Sequence, residues 1–174
     1  MKKRDIWISI GIISIAVLGF YVYSRQTGYM EVDAGGADAT LRLRSGWSNS
    51  LLIESESDPV AVRARIYKPQ RLSVSMGQDG NTWLLYSNGP WGKLSTIKVK
   101  NRQTMLVRLG PPFLIKPTVQ RNPSSVSVGL SIIGQAGEQY GARLTKDGKD
   151  LPAPAVNIID EAGKVLAAGK FAYG

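Results

Sequence analysis

Apolar and polar side chains change places at every second residue along most of this chain, and that period rules out most folds. Leu41 and Leu43 alternate with Arg42 and Arg44, and Val60, Val62, Ala64 and Ile66 alternate with Arg63 and Arg65. Val126, Val128, Leu130 and Ile132 alternate with Ser127, Gly129 and Ser131. A period of two places one set on each face of an extended strand, whereas a helix needs its apolar residues three or four apart. Short segments of this kind, separated by Asp33-Ala34-Gly35-Gly36, Gly77-Gln78-Asp79-Gly80-Asn81 and Ser87-Asn88-Gly89-Pro90, predict an all-β sandwich.

In chain order the expected strands are Tyr29 to Val32, Ala39 to Arg44, Leu51 to Ile53, Val60 to Ile66, Leu72 to Met76, Thr82 to Tyr86, Leu94 to Lys100 and Met105 to Leu109. Asp79-Gly80 supplies the positive φ that a tight hairpin needs. Gly110-Pro111-Pro112 is the strongest punctuation, because proline cannot donate to a ladder and restrains the residue before it. It divides a larger region, 29–110, from a smaller one, 111–174, expected to pack on the first. In the smaller region Phe113 to Gln120 is a strand that Pro117 places at an edge. Val126 to Ile132 follows, Gly134 to Pro154 is expected to be a long loop, and a hairpin runs from Val156 to Tyr173.

Ahead of all this stands Ile6 to Tyr23, eighteen uncharged residues behind the basic tail 1–5. As a helix rising about 1.5 Å per residue it is about 27 Å long, close to the hydrocarbon thickness of a bilayer. Trp7 near one end and Phe20, Tyr21 and Tyr23 near the other suit the headgroup zones, and Lys2, Lys3 and Arg4 predict a cytoplasmic amino terminus. The expectation is a single N-terminal transmembrane helix, a short tether over 24–28, and an extracytoplasmic β-region. The alternative is a signal peptide cleaved before Arg25 and a secreted product; the length of the run and its bulky aromatic end favour the anchor.

The chain contains no cysteine and no histidine. Disulfides, thiol nucleophiles, a lipoprotein anchor, imidazole bases and the Ser-His-Asp triad are therefore excluded. The acidic groups Glu54, Glu56 and Asp58, Asp147 and Asp150, and Asp160 and Glu161 do not have calcium-loop spacing. Nothing marks a catalytic constellation, so a non-catalytic protein with no cofactor is expected, an envelope hydrolase ranking last.

The net charge of +9 is uneven: residues 39–108 carry eleven Lys and Arg against Glu54, Glu56, Asp58 and Asp79. Their outward positions are Arg42, Arg44, Arg63, Arg65, Arg71, Lys98, Lys100 and Arg108, which form one basic face if the strands share a sheet. Such a face attracts acidic polysaccharide, anionic lipid headgroups or an acidic protein. The plainer account is that these charges keep a solvent face soluble and block edge pairing. Trp47, Trp83, Tyr86 and Trp91 are stacking platforms for sugars on one reading and core or rim packing on the plainer one. Trp83 beside Leu84 and Leu85 is expected in the core, and Trp91, on the Gly89-Pro90 turn, is the aromatic contact expected at the surface.

The pieces Val60 to Leu72 and Val156 to Gly174 resemble the strand-turn-strand units of immunoglobulin-like and transthyretin-like modules common on bacterial exported proteins. The resemblance covers about a third of the chain and implies a binding or structural module. The reading is therefore a membrane-anchored scaffold or accessory module of the bacterial envelope that docks on an envelope protein. The alternative is an adhesive module for acidic polysaccharide or lipid headgroups. Nucleic acid is not an expected partner.

Overall fold

The computed structural model of the chain describes residues 26–47, 49–55, 58–141 and 144–171. The apolar segment Ile6 to Tyr23 lies outside them; among the described residues no helix is long and apolar enough to cross a membrane. What is described is all-β.

Among the described residues eight strands come before the double proline: β1 (Thr27–Asp33), β2 (Asp38–Ser45), β3 (Asn49–Glu54), β4 (Val60–Arg63), β5 (Ile66–Gln78), β6 (Asn81–Ser87), β7 (Ile97–Lys98) and β8 (Thr104–Arg108). Seven follow: β9 (Leu114–Asn122), β10 (Ser125–Ile133), β11 (Gln139–Tyr140), β12 (Leu144–Lys146), β13 (Lys149–Asp150), β14 (Ala155–Ile159) and β15 (Val165–Lys170). A small sheet has the order β4-β1-β8, with β1 and β8 parallel. A large antiparallel sheet has the order β13-β12-β6-β5-β2-β3, with β7 attached to β5.

The alternation explains why these two sheets stack. Met30, Val32, Val62 and Val107 of the small sheet join Leu41, Leu43, Ile53, Leu72 and Val74 of the large one in a single buried cluster. Their polar neighbours in sequence, such as Arg42 and Arg44, point to solvent. Two sheets sharing one apolar layer is an arrangement compatible with a β-sandwich. The β5–β6 hairpin turns at Asp79 (φ 52°) and Gly80 (φ 75°), the pair of positive φ values that matches strand twist.

The strand limits depart from the alternation in three places. Val60 to Ile66, expected as one strand, is broken at Ala64 and Arg65, where the chain passes from the small sheet to the large one. There the Ala64 N–H donates to the Gln26 carbonyl (2.9 Å) and the Arg65 carbonyl accepts from Val99 N–H (3.0 Å). Period two persists through such a corner, so the sequence hides it. Pro69 does not end β5, because it lies beside a bulge opposite Arg42 and Leu43. Leu94 to Lys100, expected as a strand, is a 3-10 turn (Gly92–Ser95) that buries Leu94, followed by the two residues of β7.

The third departure is the expected loop from Gly134 to Pro154, which carries β11, β12 and β13. β12 pairs with β6, Leu144 opposite Leu85 and Lys146 opposite Trp83, and so extends the large sheet. Pro117 does lie on an edge strand, as expected, since the third sheet has the order β11-β10-β9. The alternation of β10 does not translate into burial: Val126 is 48% exposed, and on β9 Leu114 and Ile115 are 62% and 61% exposed. The C-terminal hairpin of β14 and β15 forms a separate two-stranded sheet.

Candidate functional site

The predicted basic residues fall into three places. Arg44, Arg63, Arg65, Lys98 and Lys100 come together at one end of the stacked sheets. Arg63 pairs with Thr27 at the start of β1, Lys98 pairs with Ile66, and Val99 donates to the Arg65 carbonyl. Arg65 also donates to the Ser45 hydroxyl (3.3 Å), which ties the end of β2 to this corner. Lys100 is joined to the same end through Gln103, whose N–H donates to the Lys100 carbonyl and whose carbonyl accepts from Tyr29.

Arg42 sits farther along the outer face of the large sheet, opposite Arg71, whose guanidinium stacks 4.9 Å from the centre of the Tyr86 ring. Arg108 is at the opposite end, where it forms an ion pair with Asp33 (3.6 Å). Arg63 and Arg108 belong to the small sheet and Arg42 and Arg44 to the large one, so the eight positions do not share a sheet.

Three residues complete the basic end that alternation alone did not single out. Lys68 lies opposite Arg44. The bulge after Pro69 changes the parity of β5, so that Lys68 and Arg71 share a face although they are an odd number of residues apart. Arg102 is on a turn at φ 56° and its N–H donates to the Thr27 carbonyl (2.8 Å). Trp47 stands at the tip of the β2–β3 turn, 97% exposed. The Arg44 side chain holds that turn by donating from Nε to the Gly46 carbonyl (3.0 Å) and from an Nη to the Trp47 carbonyl (3.2 Å).

The other tryptophans differ. Trp91 is partly buried against the core beside Gly89, and Trp83 is partly exposed with the Lys146 ammonium 5.4 Å from its ring centre. The acidic residues of the same strands lie towards the other end: Glu31 and Asp33 on β1, Asp38 on β2, Glu54 on β3 and Asp58 ahead of β4. Charge is thus polarised along the strand direction, a pattern set by where each strand begins and ends.

A second constellation is structural. Glu138 is fully buried, and its carboxyl oxygens accept from the N–H groups of Gly110 (2.7 Å) and Ala136 (3.0 Å) and from the Tyr140 hydroxyl (2.9 Å). A buried carboxyl is costly unless hydrogen-bonded, and these three donors meet that requirement. Gly134 leaves the room, because a side chain there would collide with the Glu138 carboxyl. Gly92 does the same where Ala136 and Gly137 cross it. Burial pushes the Tyr140 phenol above the ordinary tyrosine value, the adjacent Glu138 carboxyl adding to the shift, and burial also raises Tyr67. The sequence carried little signal for this knot, since a lone glutamate among glycines looks like an exposed loop.

Two of the surface depressions of the described residues bear on these elements. One, of about 580 Å³, lies between the β9–β10 and β14–β15 hairpins and is lined by Val126, Val128, Leu130, Val156, Ile158 and Phe171 among others. Another of similar volume lies on the outer face of the large sheet around Arg71, Tyr86, Thr145 and Asp150; the Thr145 hydroxyl is buried there with no hydrogen-bond partner. Among the described residues no group of three or more His, Cys, Asp and Glu is placed to hold a metal ion. Comparison of the chain with protein-family models, with curated proteins and with solved structures gave no match.

Proposed function

We propose that this chain is a non-catalytic binding or scaffold module of a bacterial cell envelope, of immunoglobulin-like or transthyretin-like architecture, tethered by Ile6 to Tyr23 and docking on an envelope protein. The supporting observation is the apolar surface left on the hairpins. Leu114, Ile115, Val119, Val126, Ile159, Val165 and Leu166 are each between 48% and 62% exposed, on strands that contribute nothing to the fully buried core. Exposed apolar side chains concentrated on two hairpins mark a place where another chain binds, and among the described residues β9 is an edge strand to which an extended segment can pair.

The test is recovery of the intact protein from mild detergent after crosslinking from Ile115→Cys or Leu166→Cys, in a chain that has no natural cysteine. A stoichiometric crosslinked protein is the expected result. Crosslinks at Trp47→Cys only, with none at the hairpins, would remove the basis for this reading.

The basic end favours a second reading, attraction to an acidic polysaccharide or to anionic headgroups. The polarised charge supports it, and salt dependence of binding distinguishes it from the apolar docking of the hairpins.

A further inference from the structure

We infer that the basic end is a membrane-docking surface: Arg63, Arg65, Lys68, Lys98, Lys100 and Arg102 engage anionic phospholipid headgroups while Trp47 enters the interface. The inference rests on the proposed tether and names what the end of the module nearest to that tether binds.

The first argument is reach. The described chain starts at Gln26, whose carbonyl accepts from Ala64 N–H at this same end. Only Ser24 and Arg25 separate Gln26 from Tyr23, the last residue of the apolar segment. Three residue steps span at most about 11 Å. If the segment lies in a bilayer, the end bearing Gln26 is held at the headgroups, and the end bearing Asp33, Asp38 and Arg108 faces away.

The second argument is charge. Electrostatic attraction to an anionic leaflet fades within about 8 Å at physiological ionic strength, so only cations held at the surface contribute. The strands place them there: Lys98 opposite Ile66, Arg63 opposite Thr27, Lys68 opposite Arg44. The acidic residues of β1, β2 and β3 are set back towards the other end. Had the charges served solubility alone, nothing would gather them at the end where the chain leads to the apolar segment.

The third argument is Trp47. An indole exposed to 97% is costly in water and favoured at the headgroup level, where its apolar ring and N–H are both accommodated. The turn that carries it is fixed by two hydrogen bonds from Arg44, so the ring is presented on a held platform. Ile66, 53% exposed next to Arg65, adds apolar area at the same end.

The experiment uses the full chain in vesicles with a nitroxide on Asn49→Cys, beside Trp47, or on Gln78→Cys at the opposite end. Collision with oxygen and with an aqueous nickel chelate reports depth. With phosphatidylglycerol mixed into phosphatidylcholine, the label at 49 is expected to gain oxygen contact and lose chelate contact. In phosphatidylcholine alone, or in high salt, it returns to water, while the label at 78 stays in water throughout. Arg63→Ser with Arg65→Ser, and Lys98→Ser with Lys100→Ser, are expected to lower the docked-to-free ratio by about five-fold per cation removed. Trp47→Ser is expected to lower it without changing the salt dependence.

A label at 49 that remains aqueous in phosphatidylglycerol, or that docks equally in both lipids and ignores salt, overturns the inference. So does a chain that binds acidic polysaccharide while its label at 49 stays aqueous in anionic vesicles, which assigns the end to a glycan. Failure of the tether is separately visible, because the chain then washes off the vesicles at alkaline pH. If washed-off protein still binds phosphatidylglycerol vesicles through the same cations, the docking surface stands without the tether.

Discussion

The stacked sheets and the two hairpins use the same sequence grammar and reach opposite outcomes. In β2 the alternation buries Leu41 and Leu43 completely, because a second sheet closes over that face. In β10 a cleaner alternation leaves Val126 half exposed, because among the described residues an open groove toward β14 and β15 lies over it. Alternation therefore specifies that a strand has two different faces. Whether the apolar face is covered depends on a partner sheet, and in the hairpins that partner is incomplete. The body is expected to carry the stability and the hairpins the adaptable surface.

The largest effects should come from the body. Leu41→Ala or Leu43→Ala should cost about 3 to 5 kcal/mol in denaturant unfolding, since each is fully buried where both sheets meet. A cost below about 1 kcal/mol would mean the two sheets do not share a core. Glu138→Ala should follow at about 3 kcal/mol, by leaving the Gly110 and Ala136 N–H groups without their acceptor. Glu138→Gln should cost less, because one carbonyl oxygen still accepts.

Alkaline titration sharpens the contrast further. The folded state holds Tyr140 and Tyr67 protonated beyond the ordinary tyrosine value of 10.0, so the unfolded chain loses these protons first. The stability each contributes is intact below that pH and declines above it, by up to about 1.4 kcal/mol per pH unit per group. Tyr140→Phe keeps the edge-on ring contact with Phe113 and should flatten that alkaline decline. An unchanged slope would show that the phenol is not the titrating group.

Changes on the hairpins should be small. Leu166→Ser on β15, 62% exposed, should alter global stability by no more than about 0.5 kcal/mol while weakening any crosslinked complex. Backbone amides of β14 and β15 should exchange with solvent well before those of β2 and β5. Smallest of all, Thr145→Val should be neutral or slightly stabilising, as it removes a buried hydroxyl that has no partner.

The sequence made the all-β character legible because it fixes a period, and periods survive without knowledge of neighbours. Turn chemistry was equally local: Asp79-Gly80 forms its hairpin from its own φ preferences. The corner at Ala64 and Arg65 was hidden because changing sheets does not change the period. The strands after Gly134 were hidden because β11 to β13 are two or three residues long and owe their conformation to β6, β10 and Glu138. At the basic end, Arg63, Arg65, Lys98 and Lys100 were legible as outward charges. Their gathering beside Gln26, and the addition of Lys68, Arg102 and Trp47, depended on strand direction and on a bulge that no single segment reveals.

The carboxyl of Glu138 also sets an order of events. It closes on the Gly110 N–H, 28 residues earlier in the chain, after the whole β9–β10 hairpin has been traversed. A chain emerging amino terminus first can assemble β1 to β8 yet must leave that donor, and the free edge of β6, open until residues 138 to 146 arrive. During that interval the apolar hairpin is already out. The interval in which the Gly110 N–H and the β6 edge stay open is therefore set by the length of a hairpin, and the Glu138 carboxyl and β12 close them.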